Sequence, residues 1–329
     1  MRTQHILPVV CLIVLLTGCD NISESQSSQR RRLNIIVENG LYGYIDSSGK
    51  IVIEPQFHHA GDFSEGLCPV NVNGRYGYID TTGTMVIELK FDLAKDFSSS
   101  LAHVNIGGVF GFIDTTGNIV IEPQFDDAWG FSGGLARVKK DGLFGYIDTS
   151  GDYVVEPRYE DAGRFAGGLA SVKIGDKYGY IDTSGKIVIE PRFDFAWMFT
   201  EDMAYVKIGG KCGYIDKSGR IVIQPKFDKA WHFEGDYAVV CEGGSFGYIN
   251  KKGDYVIKPK FEYAWQFSEG IASVKKNGLF GYINTKGNFV IKPQYEDAKI
   301  FIGGIALVKT DGKWAYIDTK GKFVYKQQK

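Results

Sequence analysis

Apolar and polar positions alternate in short runs along most of this chain, and the runs return every 34 residues. In Leu169-Ala170-Ser171-Val172-Lys173 the alternation has a period of two, as it does from Lys177 to Asp182 and from Lys186 to Glu190. A period of two predicts strands whose successive side chains face opposite sides of a sheet. Gly175-Asp176 separates the first two runs, and Asp182-Thr183-Ser184-Gly185 separates the second pair. Other units carry sharper turn pairs at the first position, such as Asn73-Gly74, Asp141-Gly142, Asn277-Gly278 and Asp311-Gly312. Each unit therefore reads as a three-stranded antiparallel meander that stops at a proline such as Pro191, which cannot donate to a ladder. The connector that follows has another rhythm. Apolar residues recur at Phe125, Ala128 and Phe131, again at Phe57, Ala60 and Phe63, and again at Phe261, Ala264 and Phe267. Spacing of three predicts one helical or 3₁₀ turn tucked under a sheet.

The register never slips. The residue opening the second strand falls at Tyr42, Tyr76, Phe110, Phe144, Tyr178, Cys212, Phe246, Phe280 and Trp314. So strict a period means a repeat architecture. Leu33 aligns with Leu67, Leu101, Leu135 and Leu169, so the array begins on a first strand and holds nine meanders joined by eight connectors. Tetratricopeptide repeats share the length, but they are helix pairs and do not alternate with a period of two. Propeller blades usually have four strands and 40–45 residues, and number four to eight. The expected fold is thus all-β, an open superhelical stack of nine meanders, with a closed propeller-like ring as the alternative.

The aromatic-glycine pair inside each unit resembles the WG-repeat family. It stands here as Tyr42-Gly43, Tyr76-Gly77, Phe110-Gly111, Phe144-Gly145, Tyr178-Gly179, Phe246-Gly247 and Phe280-Gly281, with departures at Cys212-Gly213 and Trp314-Ala315. The resemblance spans residues 33–326. It implies an interaction scaffold and no single activity.

The first 18 residues read as a signal peptide. Arg2 gives a positive start, and the apolar run from Ile6 to Leu16 is short for a membrane-spanning helix. The run ends in Leu16-Thr17-Gly18-Cys19, which resembles the lipobox of bacterial lipoproteins. That resemblance makes Cys19 the lipidated first residue of the mature chain, and acyl chains on it would hold the protein at a membrane. Asp20 in the enterobacterial version of that family favours retention on the inner membrane, periplasm-facing; elsewhere the surface remains open. Residues 19–32 are polar and form a tether by composition, and residues 327–329 are a tail.

Charge changes the picture in one respect. The net charge of −1 leaves no basic footprint for nucleic acid. Residues 33–250 nevertheless carry 19 basic against 30 acidic side chains, and residues 251–329 carry 15 against 7. Such a gradient can orient a partner or a membrane surface.

Three rows of residues invite chemistry. Asp46, Asp80, Asp114, Asp148, Asp182, Asp216 and Asp318, with Asn250 and Asn284 in the same position, could ligate Ca²⁺ through their oxygens. Each precedes x-x-Gly in a hairpin, where Asx side chains cap backbone N–H groups, and that role also suits Asn. Trp129, Trp197, Trp231 and Trp265 occupy a connector position held elsewhere by Gly61, Lys95, Gly163 and Lys299. A core position would not tolerate such a range, so these tryptophans are the candidate binding residues, as stacking surfaces or protein anchors. Cys68, Cys212 and Cys241 sit at variable packing positions; Cys212 and Cys241 lie in adjacent units and could meet. No metal spacing, nucleophile elbow or phosphate loop is present, so neither catalysis nor a cofactor is expected. The expectation is a non-enzymatic, lipid-anchored repeat protein of the bacterial cell envelope that scaffolds a protein partner. Glycan or cell-wall binding through the connector aromatics is the alternative.

Overall fold

The computed structural model describes residues 32–327. The expected signal peptide, Cys19, Asp20 and nearly all of the tether lie outside the described residues. Every regular element in the described chain is a strand. The strands form nine sheets in chain order, and the last sheet packs against the first. The molecule is therefore a closed nine-bladed β-propeller, and the expected open stack is incorrect. The closure is side-chain work. Ile36 and Ile45 of the first blade bury themselves against Ile305 and Tyr316 of the last. Tyr316 Oη donates to Ile35 O at 2.8 Å, Gln327 Nε2 donates to Val37 O at 2.7 Å, and Tyr325 Oη donates to Glu38.

The blades also differ from the expected meander. In blade 2 the order is His59–Ala60, Leu67–Val72, Arg75–Asp80, Met85–Phe91, so four strands are paired rather than three. The extra strand is only two residues long and comes from the connector, where a helical turn was expected. Ala60 pairs with Val70 and His59 with Asn71. The trio spaced by three has a different cause: the alanine lies in this short strand, and the phenylalanine three residues on enters the turn behind it. Among the described residues blade 1 has no short strand, and in blade 5 a single bridge from Ala162 to Val172 replaces it.

The third strand does not stop at proline. In blade 5 it runs Ile187–Phe193. Tyr178 pairs with Phe193 and Tyr180 with Ile189, so four residues on one strand span two on the other. Pro191 sits in that bulge, where no ladder N–H is required of it. The bulge presses on the facing glycine. A Cβ on Gly179 would lie 2.5 Å from Ile189 O and 2.8 Å from Pro191 N. This close approach is why an aromatic-glycine pair recurs. In the last blade the register runs unbroken from Ala315↔Lys326 to Tyr316↔Tyr325, and there alanine replaces glycine.

Each core cluster joins two consecutive blades. Tyr180, Ile189 and Phe193 of blade 5 pack with Ala196, Phe199, Ala204, Val206 and Ile215 of the connector and blade 6. The second-strand tyrosine is the keystone. Tyr180 is fully buried, its ring lies 4.9 Å from Phe199, and its hydroxyl donates to Trp197 O at 2.6 Å. The Asp row caps the hairpins between second and third strands. In blade 5, Asp182 Oδ1 accepts from Ser184 N at 2.9 Å, Ser184 Oγ at 2.6 Å and Lys186 N at 3.1 Å. Asn250 and Asn284 accept the equivalent backbone bonds.

Candidate functional site

The connector position that carries the tryptophans is held by its backbone. Trp197 N donates to Tyr205 O at 3.1 Å, while Trp197 O receives the Tyr180 hydroxyl. Gly61, Lys95, Gly163, Trp231, Trp265 and Lys299 make the same two bonds. The fold uses the peptide unit and leaves the side chain free, which accounts for Gly, Lys and Trp in one position. The short strand that carries this position is the edge of its sheet opposite the third strand.

Four consecutive connectors, from blades 3 to 6, line a groove of about 910 Å³. Two of the candidate tryptophans meet there. Trp129 is half-buried, and the Arg137 guanidinium covers its ring at 3.7 Å. Arg137 also donates to Ala162 O, but its Nε is buried with no partner. Trp197 is 39% exposed and stacks with Phe195 and Tyr205, with centroids 6.0 and 5.9 Å away. Asp161 faces the same groove and accepts from Tyr178 Oη at 2.6 Å. Burial and this bond push the Tyr178 hydroxyl up to about 12. His103, also on the wall, is pushed down to about 4 by burial and is neutral at physiological pH; its Nδ1 has no partner.

The other two candidates lie elsewhere. Trp231 packs at 5.7 Å from Phe246. Trp265 packs on Tyr263 at 5.5 Å and shares Lys299 with Trp314 above a shallow pocket of about 610 Å³. Its indole Nε1 is buried without a partner. The tryptophans thus split between two places, Trp129 and Trp197 in the groove and Trp231 and Trp265 around Phe246 and Tyr263.

Several groove residues escaped the sequence reading: His103, Arg137, Asp161, Phe195 and Tyr205. His103, Arg137 and Tyr205 share one repeat position, the third residue of the first strand. The same position is Ile35, Pro69, Ser171, Val239, Ser273 and Leu307 in the other units. That variety beside a constant neighbourhood was the available signal. Cys68, Cys212 and Cys241 are buried free thiols, so Cys212 and Cys241 do not pair. Among the described residues no group of His, Cys, Asp or Glu is placed to hold a metal ion. The groove gathers aromatic faces, one guanidinium with an unused donor, and carboxylates. Such a set stacks against flat groups and exchanges hydrogen bonds with carbonyls, amides or hydroxyls.

Fold and repeat chemistry together define a β-propeller whose blades are copies of one short aromatic-glycine unit. The WG containing repeat family matches at residues 42–76, 76–109, 110–144, 144–178, 178–212, 213–245, 246–280 and 280–314, and the chain belongs to that family. Among solved structures it is similar to a eukaryotic initiation factor, with a TM-score of 0.65 at 10% identity over 91% of this chain and 96% of that one. It is also similar to the dihydro-heme d1 dehydrogenase NirN in complex with DHE, with a TM-score of 0.50 at 13% identity over 90% of this chain and 73% of that one. At these identities the likeness is one of fold. No curated protein matches the chain.

Proposed function

We propose that this chain is a non-enzymatic interaction scaffold of the bacterial cell envelope, lipid-anchored at Cys19, that takes a protein partner at the connector groove of its propeller. The groove carries this reading. Consecutive blades place Trp129, Arg137, Asp161 and Trp197 along one wall, and the buried Arg137 Nε–H calls for an acceptor from outside. A buried donor left unmade costs about 1–3 kcal/mol, so a partner carbonyl or carboxylate that reaches it gains that much. The lipobox-like segment supports the anchoring. Among the described residues no helix is long and apolar enough to cross a membrane.

Glycan binding is the second reading, favoured by the exposed Phe195, Trp197 and Tyr205 stack, which presents a flat apolar face near the Asp161 carboxylate. One experiment separates the two. A photo-crosslinking residue replaces Arg164, on the rim of the groove, in cells that express the full chain. A discrete protein adduct, lost on Trp197→Ala, is expected. If no protein is captured while soluble cell-wall fragments shield Trp197 from acrylamide quenching, the glycan reading replaces the protein one. If neither occurs, the groove is not the binding site.

A further inference from the structure

Eight of the nine junctions between blades are sealed by a connector and a ring pair, and seven of these add a tyrosine hydroxyl bond that Phe112 cannot make. At the first, Ala60 pairs with Val70, and Gly61 N and His58 N donate to Pro69 O and Asn71 O of the next blade. Gly61 O takes the Tyr44 hydroxyl of the blade before, and the Phe63 ring sits 5.0 Å from the Tyr44 ring. The same ring pair recurs down to Tyr282 and Phe301, at 4.7 Å.

The ninth junction, between blades 9 and 1, has no connector among the described residues. Among the described residues no short strand pairs with the free edge of the first strand, Asn34–Glu38. Its Ile35 and Val37 stand in register with Pro69 and Asn71. The carbonyls that elsewhere accept connector N–H groups here accept Tyr316 Oη and Gln327 Nε2. Tyr316 retains 8% exposure, whereas Tyr44, Tyr78, Tyr146, Tyr180, Tyr214, Tyr248 and Tyr282 are fully buried. Beside it lies a cavity of about 560 Å³, lined chiefly by Leu33, Ile35, Ile302, Leu307, Trp314 and Tyr316.

We propose that this ninth junction is a docking site for an extended segment of a partner protein, seated as the missing connector. Its chemistry follows from the eight internal examples. A small residue pairs with the free edge of Asn34–Glu38, and three positions later an aromatic ring packs against Tyr316. Two positions before the small residue, a carboxylate caps the Asn39-Gly40 turn, as Asp92 caps Gly107 N at 2.7 Å and Glu296 caps Gly312 N at 2.9 Å. The hydrogen bonds balance. Incoming N–H groups take Ile35 O and Val37 O, Gln327 turns to water, and Tyr316 passes its donor to the segment's carbonyl, as the other seven tyrosines do. Strand addition to an unpaired edge is an established recognition mode.

The segment just upstream does not have this chemistry. In register, Ser23, Gln26 and Gln29 stand where Phe57, Ala60 and Phe63 would be, and residues 20–31 contain no aromatic. A second copy is equally unsuited, because its eight connectors are engaged in its own junctions.

The probe is a fluorescein-labelled peptide with the sequence of residues 125–132, Phe-Asp-Asp-Ala-Trp-Gly-Phe-Ser, titrated by anisotropy against the full chain in detergent. Saturable binding is expected. It should weaken about thirtyfold when the second phenylalanine becomes alanine, the loss of one buried ring. Leu307→Trp, which fills the cavity, should abolish it. Hydrogen exchange gives a readout independent of any variant: peptide should protect the amides of residues 34–38. Absence of binding, equal binding of the alanine peptide or of the filled variant, or protection elsewhere would each overturn the proposal. So would protection of residues 34–38 without peptide, either rising with protein concentration, which would assign the site to a second copy, or lost on deletion of residues 20–31, which would assign it to the upstream segment. The cavity lies outside the Trp129–Trp197 groove, so this test stands apart from the one above.

Discussion

Gly179→Ala is the sharpest test of how a blade is built. The added Cβ would meet Ile189 O at 2.5 Å, Pro191 N at 2.8 Å and Glu190 C at 3.1 Å. All three are backbone atoms of the bulged strand, so no side-chain rotation relieves the contact. The second and third strands must part, or the bulge must move. Overpacking of this kind costs roughly 1–3 kcal/mol, and backbone neighbours put the site at the upper end. Restricting the unfolded chain returns about 0.4–1 kcal/mol. The net expectation is a loss of about 2 kcal/mol, read as a lower urea midpoint at unchanged slope by tryptophan fluorescence. Two natural repeats supply the controls. Leu89 occupies the proline position of blade 2, and Gly77 is still pressed by Ile87 O, so proline does not create the bulge. Pro191→Leu should therefore cost under about 1 kcal/mol and fail to rescue Gly179→Ala. Ala315 pairs in unbroken register with its neighbour Tyr316, and the one shift of that strand pair falls beyond it, between Tyr316 and Ile317; Ala315→Gly should lose about 0.5–1 kcal/mol, the ordinary cost of glycine in a strand. A Gly179→Ala protein within about 0.5 kcal/mol of the parent, or one restored by Pro191→Leu, would refute the reasoning.

Three further outcomes follow from the same structure. Tyr180→Phe removes the bond to Trp197 O and should cost about 1 kcal/mol, while Phe112→Tyr, the one repeat without this hydroxyl, should gain up to that amount by reaching Trp129 O; paired urea titrations measure both. The turn carboxylates Asp80, Asp114, Asp148, Asp182 and Asp216 are held below the ordinary carboxylate range, chiefly by the Ser or Thr hydroxyl two residues on. A depressed folded value means their stabilisation is complete above the unfolded value near 3.8 and drains away as pH falls through the folded values. The melting temperature should thus drop below about pH 4, and Asp→Asn at all five should flatten that drop by lowering stability near neutrality, since Asn250 and Asn284 accept only the backbone bonds and have Lys252 and Lys286, not a hydroxyl, two residues on. A drop of unchanged size in that variant would place the acid sensitivity elsewhere. Burial pushes the Cys68 thiol up to about 12, beside the Tyr44 hydroxyl at 2.7 Å. It should resist thiol reagents at pH 8 in the native protein and react fully in urea; rapid native labelling of Cys68 would contradict its burial.

Much of the blade was legible in the sequence because each of its decisions is local. Period-two runs mark the three long strands, and Asp182-x-x-Gly185 marks its own capped turn. The connector misled because its spacing of three comes from two unrelated events, Ala60 pairing on a sheet edge and Phe63 wedging behind it. The ring was hidden for a different reason. A 34-residue period specifies how one unit meets the next, but closure depends on the angle accumulated over nine units. The residues that complete the closure, Tyr316 and Gln327, look like one more repeat and a stray tail. At the candidate groove, the Trp129 and Trp197 position was readable from its tolerance of glycine and lysine. Arg137 and Asp161 were not, because they come from different repeats, 24 positions apart, and meet only across a junction.

The glycine of each aromatic-glycine pair acts as punctuation. It is needed wherever the third strand bulges and then re-pairs through an aromatic residue such as Phe193, that is, wherever a strand hands over to a further blade. In the last unit the position equivalent to Tyr295 is Lys329, the register shift beside the glycine position is gone while the one between Tyr316 and Ile317 stays, and Ala315 is tolerated. Gly thus marks a unit whose third strand bulges beside it and re-pairs, and Ala one whose third strand does not. A repeat written this way duplicates most readily from an interior unit, since a copy of the Ala315 unit would first have to restore the glycine and the aromatic it answers to.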